Sequence, residues 1–224
     1  MQDVTENTVS TAPREPASRK EREKRARELE ILKAARELFL AKGFRATTLD
    51  EIAHAAEFGK GTLYNYFSSK EDLFLGILKQ ALEEMYEIAR ASTTAAGDAR
   101  QKLHQYARDM IQYMKDNGEL LHIVYHELDR GNSPLDSTRL RQIIGDTQGA
   151  WDMLAEPLAE EIRKGTIREG DARQLVMLFD GMLRGFCSHQ FAAGRKAADL
   201  DVAATTEMIT SIFFDGITER QNKG

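Results

Sequence analysis

The sequence predicts an all-α fold, and three observations support that class. Long segments repeat apolar residues with the 3.6-residue period of a helix, and no convincing alternation of polar and apolar residues indicates a strand. Pro13, Pro16 and Pro134 lie outside these segments, and the fourth proline, Pro157, is expected to kink or restart a helix. A chain of 224 residues with 42% hydrophobic content can form one large or two small domains.

Residues 1–25 are predicted to form a disordered, partly basic N-terminal arm. Thr, Ser, Pro and Glu dominate residues 1–18, where apolar residues are rare. Residues 19–27 hold six basic and two acidic side chains, although the whole chain carries a net charge of −5. This stretch either steers the protein to DNA through its local field or is a solvated, charged extension of the first helix. Both interpretations remain open.

Residues 26–75 are predicted to form a three-helix domain with a helix-turn-helix. Within it, residues 47–70 read as two short helices joined by a tight turn and followed by the start of another helix. Thr48 is suited to cap the first short helix, and Glu51 three residues later can close a capping box.

The second short helix carries outward-facing groups that suit double-stranded DNA. Leu63 and Phe67 lie four residues apart and can face inward together. A cation, a hydroxyl, two phenols and an amide then remain on the protruding face, where they suit a phosphate backbone and base edges. These groups belong to Lys60, Thr62, Tyr64, Asn65 and Tyr66.

At these residues the chain resembles the TetR family of bacterial transcription regulators. The residues that match the family's motif are Thr47, Thr48, Ile52, Ala53, Ala56, Gly61, Thr62, Leu63, Tyr64, Tyr66, Phe67, Lys70 and Leu73. The resemblance covers about residues 26–75, because the preceding helix and its Gly43-Phe44 ending are also similar. It implies further DNA contacts at Thr47, Thr48, Gly59, Gly61 and Lys70, with Lys70 placed to hold a phosphate in the first turn of the next helix.

Two positions depart from the family's motif. Glu57 stands where the family usually has Gly at the turn, so it must adopt a backbone conformation that Gly tolerates better. Phe58-Gly59 replaces the usual Val-Ser, which removes a side-chain acceptor from the start of the second short helix. These departures favour the alternative function, a helical ligand-binding or adaptor protein of the same fold without specific DNA binding.

Residues 76–224 are predicted to form a helical ligand-binding and dimerisation domain. Ser69 can cap a long helix that connects it to the first domain, and residues 92–97 read as a linker. The expected helices cover residues 98–116, 118–130, 134–164, 171–193 and 199–220, with breaks at Asn117-Gly118, Gly131-Asn132, Gly165 and Gly194.

The last two helices are more apolar than one buried stripe requires, which indicates a second partner. Gly181 and Gly185, four residues apart, would permit close helix approach, within one chain or between two. In the resembled family the last two helices of each subunit form a four-helix bundle across a two-fold axis, so the resemblance implies a homodimer. The expected dimerisation residues are Phe179, Gly181, Gly185, Ile209 and Phe213.

Aromatic, Met and His residues are scattered over the second domain. Most are ordinary core residues when each is considered alone. The resemblance nevertheless implies a small-molecule effector here, and hydroxyl and imidazole groups beside apolar surface suit an apolar or amphipathic molecule. The expected lining residues are Tyr106, Met110, Tyr125, Trp151 and Phe179.

No enzyme is expected, and no catalytic residues, cofactor or metal. The sequence contains no P-loop, no HExxH and no dinucleotide-binding glycine run. His122 and His126, with Glu119 one turn earlier, could seed a metal site, but no Cys or third His is placed beside them. The single Cys187 fits a reducing cytoplasm, and no apolar run is long enough to span a membrane. Together with these observations, the resemblance to the TetR family implies a cytoplasmic regulator, a repressor that binds a palindromic operator as a homodimer and is released by an effector.

Overall fold

The computed structural model describes residues 18–129, 137–145, 149–192 and 196–217, without the side chains of residues 119–129, 137, 140, 141, 144, 192 and 217. Across these ranges the chain is helical, with one short 3-10 turn and no β-strand, which confirms the all-α class. None of the described helices is long and apolar enough to cross a membrane. The helices are α1 Arg19–Lys42, α2 Leu49–Ala55, α3 Lys60–Tyr64, α4 Lys70–Thr94, α5 Ala99–Asp129, α6 Ser137–Gly145, α7 Gly149–Arg163, α8 Ala172–Ala192 and α9 Val202–Ile217.

Helix α1 begins at Arg19, so the prediction of a disordered arm is wrong for residues 19–25. A capping box starts the helix: the Ser18 hydroxyl accepts from the Glu21 N–H at 3.2 Å, and the Glu21 carboxylate accepts from the Ser18 N–H at 2.6 Å. These two bonds satisfy backbone donors that would otherwise have no partner at a helix start. The basic stretch is therefore a charged, exposed helix extension.

Helices α1–α3 and the first turns of α4 share a hydrophobic core, and we call this unit the head. Ile52 and Leu63 are fully buried in it, as their spacing predicted. The rings of Phe39, Phe44 and Phe74 meet with centroids 5.2 to 6.5 Å apart, which joins the end of α1 to α4. The head is thus a packed unit of its own, with α3 on its surface.

The remainder of α4 and helices α5–α9 form a second core, and we call this unit the body. Ser69 caps α4 by accepting from the Asp72 N–H at 3.0 Å, as predicted. Leu82, midway along α4, packs against both the head core and the body core. Because one continuous helix belongs to both units, a displacement of α4 in the body also displaces the head.

Two predicted features of the body helices are wrong. Helix α5 continues through Asn117-Gly118, because the Asn117 side chain donates to the Tyr113 carbonyl and accepts from Arg36, and Gly118 gives room to the Phe191 ring. Pro157 was expected to kink or restart a helix, whereas α7 runs through it without ending. Of the helix predicted over 134–164, the structure describes α6 and α7, and residues 146–148 between them lie outside the described residues. The break at Gly165 is confirmed by its φ of 72°, whereas the breaks at Gly131-Asn132 and Gly194 lie outside the described residues.

Candidate nucleic-acid interface

The turn between α2 and α3 is a Schellman motif with a glutamate in the glycine position. The Phe58 N–H donates to the Ala53 carbonyl at 2.9 Å and the Glu57 N–H to the His54 carbonyl at 3.1 Å. Glu57 has a φ of 58°, the only positive φ of a non-glycine residue in the described part of the chain. The prediction that Glu57 adopts a conformation better suited to glycine is therefore confirmed.

The start of α2 is fixed by the predicted capping box. The Thr48 hydroxyl accepts from the Glu51 N–H at 3.3 Å, and the Glu51 carboxylate accepts from the Thr48 N–H at 2.9 Å. Hydrogen bonds from the Lys42 ammonium and from Thr48 lower the pKa of Glu51 to about 2. The carboxylate thus stays ionised and joins the end of α1 to the start of α2.

Helix α3 presents most of the predicted contact residues to solvent. Leu63 is fully buried and anchors the helix, while Gly59, Lys60, Gly61 and Asn65 are exposed. Tyr64 is also exposed, whereas Thr62 is half-buried and Tyr66 is half-buried against the head core. Gly59 begins α3 without a side-chain cap, as expected from the absence of serine there.

Lys60 lies in an ion pair with the preceding helix. Its ammonium is 2.8 Å from the Asp50 carboxylate, which raises the pKa of Lys60. Both side chains are largely exposed, and ion pairs of that kind contribute little to stability because water competes for both partners. The Lys60 ammonium can therefore exchange Asp50 for an acceptor on a ligand at small cost.

The side chains of Thr47 and Lys70 make other contacts than the family's motif predicts. Thr47 is 1% exposed and its hydroxyl donates to the Gly43 carbonyl at 2.9 Å, so its side chain does not reach the surface. The Lys70 ammonium donates to the carbonyls of Arg45 at 3.1 Å and Thr47 at 3.0 Å. The expected contact from the Thr47 side chain is wrong, because that side chain fixes the loop from within.

The structure also identifies a cation that the sequence analysis missed. Arg45, in the loop between α1 and α2, has an exposed side chain without a polar partner among the described residues. No sequence motif marks the position of Arg45 beside Phe44. Arg25, by contrast, pairs with Glu83 at 2.9 Å, and Glu83 lies about 20 Å along α4 from Lys70. The basic extension of α1 is therefore far from the surface that α3 presents.

The expected ligand-binding residues lie in the body core. Tyr106, Met110 and Phe179 are buried in the same core, and Trp151 is half-buried against that core. The side chain of Tyr125 lies outside the described residues.

A buried polar pair lies beside this cluster. The Tyr106 hydroxyl donates to the Asp180 carboxylate at 2.6 Å, and Arg184 donates to the same carboxylate at 2.7 Å. Burial, followed by the Asp180 charge, raises the pKa of Tyr106, so the phenol stays neutral and serves as a donor.

A cleft lies at the junction of head and body, away from these residues. Its volume is about 540 Å³, within the range of small-molecule sites. Apolar and charged side chains from α1 and α4 alternate in it, and α5 contributes one phenol. The lining residues are Leu29, Leu32, Lys33, Arg36, Glu37, Ile77, Gln80, Ala81, Glu84 and Tyr113.

Three of the five expected dimerisation residues are buried within the chain. Phe179, Ile209 and Phe213 belong to the body core, with 4.9 Å between the ring centroids of Phe179 and Phe213. Their expected contact with a partner is wrong because they fill the space between α5, α8 and α9. Gly181 and Gly185 are exposed, with open space beside them.

The exposed apolar side chains of α8 and α9 are different ones, and the sequence analysis missed their orientation. Leu178 on α8 is 63% exposed and Ile212 on α9 is 59% exposed. Met177 and Met208 are also exposed, at 47% and 41%. We call Met177, Leu178, Gly181, Gly185, Met208 and Ile212 the α8–α9 surface.

Comparison with known proteins gives consistent results over the head and over most of the chain. The family described as "Bacterial regulatory proteins, tetR family" matches residues 31–77. The HTH-type transcriptional repressor KstR2 of Rhodococcus jostii is 38% identical over 199 residues, which cover 89% of this chain and 95% of that protein. The fatty acid metabolism regulator protein of Bacillus subtilis is 27% identical over 160 residues, 69% of this chain and 80% of that protein.

A solved structure has the same fold. It is that of the transcriptional regulator FadR from Bacillus subtilis in complex with stearoyl-CoA, with a TM-score of 0.68 and 24% identity. The match covers 84% of this chain and 98% of that one.

Proposed function

The chain belongs to the tetR family of bacterial regulatory proteins, and from this membership we propose that it is a ligand-responsive transcriptional repressor. It binds a palindromic operator as a homodimer in the cytoplasm and leaves the operator when an apolar or amphipathic molecule binds the body. The observation that carries the proposal is the exposed polar face of α3, anchored by buried Leu63 on a head with its own core.

The proposed interface uses α3 for base readout and its flanks for phosphates. Lys60 reaches a guanine edge after exchanging Asp50 for the base, and the Tyr64 hydroxyl and Asn65 amide bind nearby phosphates or bases. The DNA backbone approaches closely at the positions beside them, which are Thr48, Gly59, Gly61, Thr62 and Tyr66.

The α8–α9 surface is the proposed dimer contact. Exposed Leu178 and Ile212 supply apolar area, and Gly181 and Gly185 leave space for a partner helix. A two-fold axis through this surface presents two heads to successive major grooves about 34 Å apart, which requires a palindromic site.

The proposed effector is an amphipathic acyl compound. One relative is named a fatty acid metabolism regulator, and a structure of the same fold is in complex with stearoyl-CoA, which has an apolar chain and a charged end. In this chain, Tyr106, Met110 and Phe179 are buried apolar core residues beside the Asp180 carboxylate, so an effector that binds among them must part packed side chains. For release, the effector must prefer the conformation whose heads no longer fit the operator spacing.

A second function has support from the turn before α3. The φ of 58° at Glu57 and the missing side-chain cap at Gly59 are departures from the family's motif. They favour a ligand-binding or adaptor protein of this fold that does not bind a specific DNA sequence.

Binding to genomic DNA fragments over a range of salt concentrations separates the two functions. A repressor selects a few fragments, and its log affinity falls steeply with log salt. Lys60→Ala should change the selected base at one position, at a cost of about 1–3 kcal/mol, while Tyr64→Phe should weaken binding to all fragments alike. Lys79→Ala, on the exposed side of α4, is the matched control. Absence of any fragment selection by the unmutated protein would favour the adaptor.

A further inference from the structure

The Lys70 ammonium is held against the loop between α1 and α2 and is partly buried. It donates to the carbonyl oxygens of Arg45 and Thr47 at 3.1 and 3.0 Å, and it lies 4.7 Å from the centroid of the Phe44 ring. A lysine ammonium has three N–H donors, so two are already used and the charge is stabilised by the ring. A phosphate could bind Lys70 only through the one N–H that remains, or by displacing one of these carbonyls.

Both carbonyl acceptors belong to the loop that leads from α1 into α2. Gly43 opens this loop with a φ of 84°, and the buried Thr47 hydroxyl donates back to the Gly43 carbonyl at 2.9 Å. Lys70 adds two bonds to the same short segment from α4. The conformation of the loop therefore depends on one ammonium group from another helix.

The loop presents a second cation to solvent. The Arg45 side chain is exposed and has no polar partner among the residues described. The Arg45 carbonyl accepts directly from Lys70, so the position of this arginine backbone depends on that bond. A guanidinium presents paired donors in a planar arrangement that matches a phosphate, and here these donors are available.

We propose that Lys70 is a positioning residue and that Arg45 makes the DNA phosphate contact beside α2. The proposal rests on the proposed DNA-binding function. Lys70 binds two carbonyls of the loop and thereby holds the Arg45 guanidinium where it reaches the DNA backbone. Without the ammonium, the loop is free to move and the arginine contact is lost.

A double-mutant cycle on the full-length chain tests the proposal. The variants are Arg45→Ala, Lys70→Met and the double mutant, with Lys79→Met as a control nine residues further along α4. Methionine keeps an apolar stem beside Phe44 and removes only the ammonium. Affinity for a mixed-sequence DNA duplex is measured by fluorescence anisotropy between about 50 and 200 mM salt, which counts phosphate contacts.

Each of the single substitutions should remove the same contact. Arg45→Ala should reduce the steepness of log affinity against log salt by about 0.9. Between about 50 and 200 mM salt, the factor by which this variant loses affinity should then be about 3.5 times smaller than that of the unmutated protein. Lys70→Met should have a similar effect in the unmutated background and none in the Arg45→Ala background. Lys79→Met should leave the slope unchanged.

Additive effects would overturn the proposal. If Lys70→Met lowers the slope by a further 0.9 or so in the Arg45→Ala background, Lys70 itself contacts a phosphate. If Lys70→Met changes neither the slope nor the affinity in the unmutated background, Lys70 has no positioning role for DNA. An unmutated protein without salt-dependent binding would instead refute the proposed function, which distinguishes the two failures.

A measurement on the unmutated protein covers the case in which Lys70→Met does not fold. In protein labelled with ¹⁵N at lysine side chains, a positioned Lys70 ammonium should keep its resonance frequency when the duplex is added. A scalar coupling between the Lys70 Nζ and a DNA ³¹P nucleus would show a direct hydrogen bond and overturn the proposal.

Discussion

Replacing Ile212 by Glu tests the proposed dimer surface without touching the core of the chain. Ile212 is 59% exposed, so a polar side chain there costs the single chain little. Phe213, the next residue of α9, is 5% exposed and packs against Phe179. Two adjacent positions therefore separate loss of the dimer from loss of the fold.

The expected size of the effect follows from the exposed area. Burying a whole isoleucine side chain is worth about 1.5–3 kcal/mol, so covering the exposed part of Ile212 is worth about 1–2 kcal/mol. In a dimer with a two-fold axis, Ile212 occurs twice in the interface, so its total contribution to dimer stability is about 2–4 kcal/mol. At 1.4 kcal/mol per factor of ten, the dimer dissociation constant should rise roughly 30- to 700-fold, and burial of the new carboxylates should raise it further.

Sedimentation equilibrium measures this change, and circular dichroism checks the fold. Ile212→Glu and Gly185→Arg should give helical monomers with weak operator affinity, because one head cannot occupy two half-sites. Phe213→Ala should instead lower the free energy of unfolding by about 3–5 kcal/mol through the cavity that it leaves. An Ile212→Glu protein with the dissociation constant of the unmutated dimer would refute this assignment of the surface, as would an unmutated protein that is monomeric at micromolar concentration.

Three further predictions concern stability. Glu57→Gly should raise the melting temperature by a few degrees, because glycine adopts a φ of 58° without the side-chain penalty of about 1–2 kcal/mol; a lower melting temperature would contradict the strain. Tyr106→Phe should lower the free energy of unfolding in urea by about 1–3 kcal/mol, since Asp180 loses a buried donor; a change below about 0.5 kcal/mol would count against that bond. Glu51 stabilises the fold fully above its ordinary pKa of 4.5, and this contribution is lost as the pH falls towards its folded pKa of about 2. The difference in melting temperature between the unmutated protein and Glu51→Gln should therefore shrink over that pH range, and a constant difference would disprove the assignment.

Features that depend on a few neighbouring residues were predictable from the sequence. The caps at Thr48 and Ser69 need only a hydroxyl at a helix start and a backbone N–H three residues later. The positive φ of Glu57 followed from its place in a turn motif that normally has glycine. The start of α1 was within reach as well, because Ser18 and Glu21 form the same type of capping box as Thr48 and Glu51.

Features that depend on distant residues were not predictable. Lys70 and Arg45 are 25 residues apart, and only the packed head shows that one binds the carbonyl of the other. The sequence predicted a helix end at Asn117-Gly118, because a short stretch of sequence does not show the contacts of these residues with Arg36 and Phe191. The periodicity of an apolar helix likewise does not tell which of its faces the same chain already covers.

The contacts between head and body determine how an effector could reach the DNA. Arg36 of α1 donates to Asn117 of α5 at 2.6 Å, and Arg139 of α6 pairs with Asp72 in the first turn of α4 at 2.5 Å. Both contacts are polar and lie near the surface, so they exchange partners at lower cost than a packed apolar core. The head core is packed and apolar, with aromatic rings in contact, so it should move as a rigid body. In the proposed homodimer, a shift of α4 or α6 in the body should therefore displace the whole head, which would change the distance between the two α3 helices without altering either reading surface.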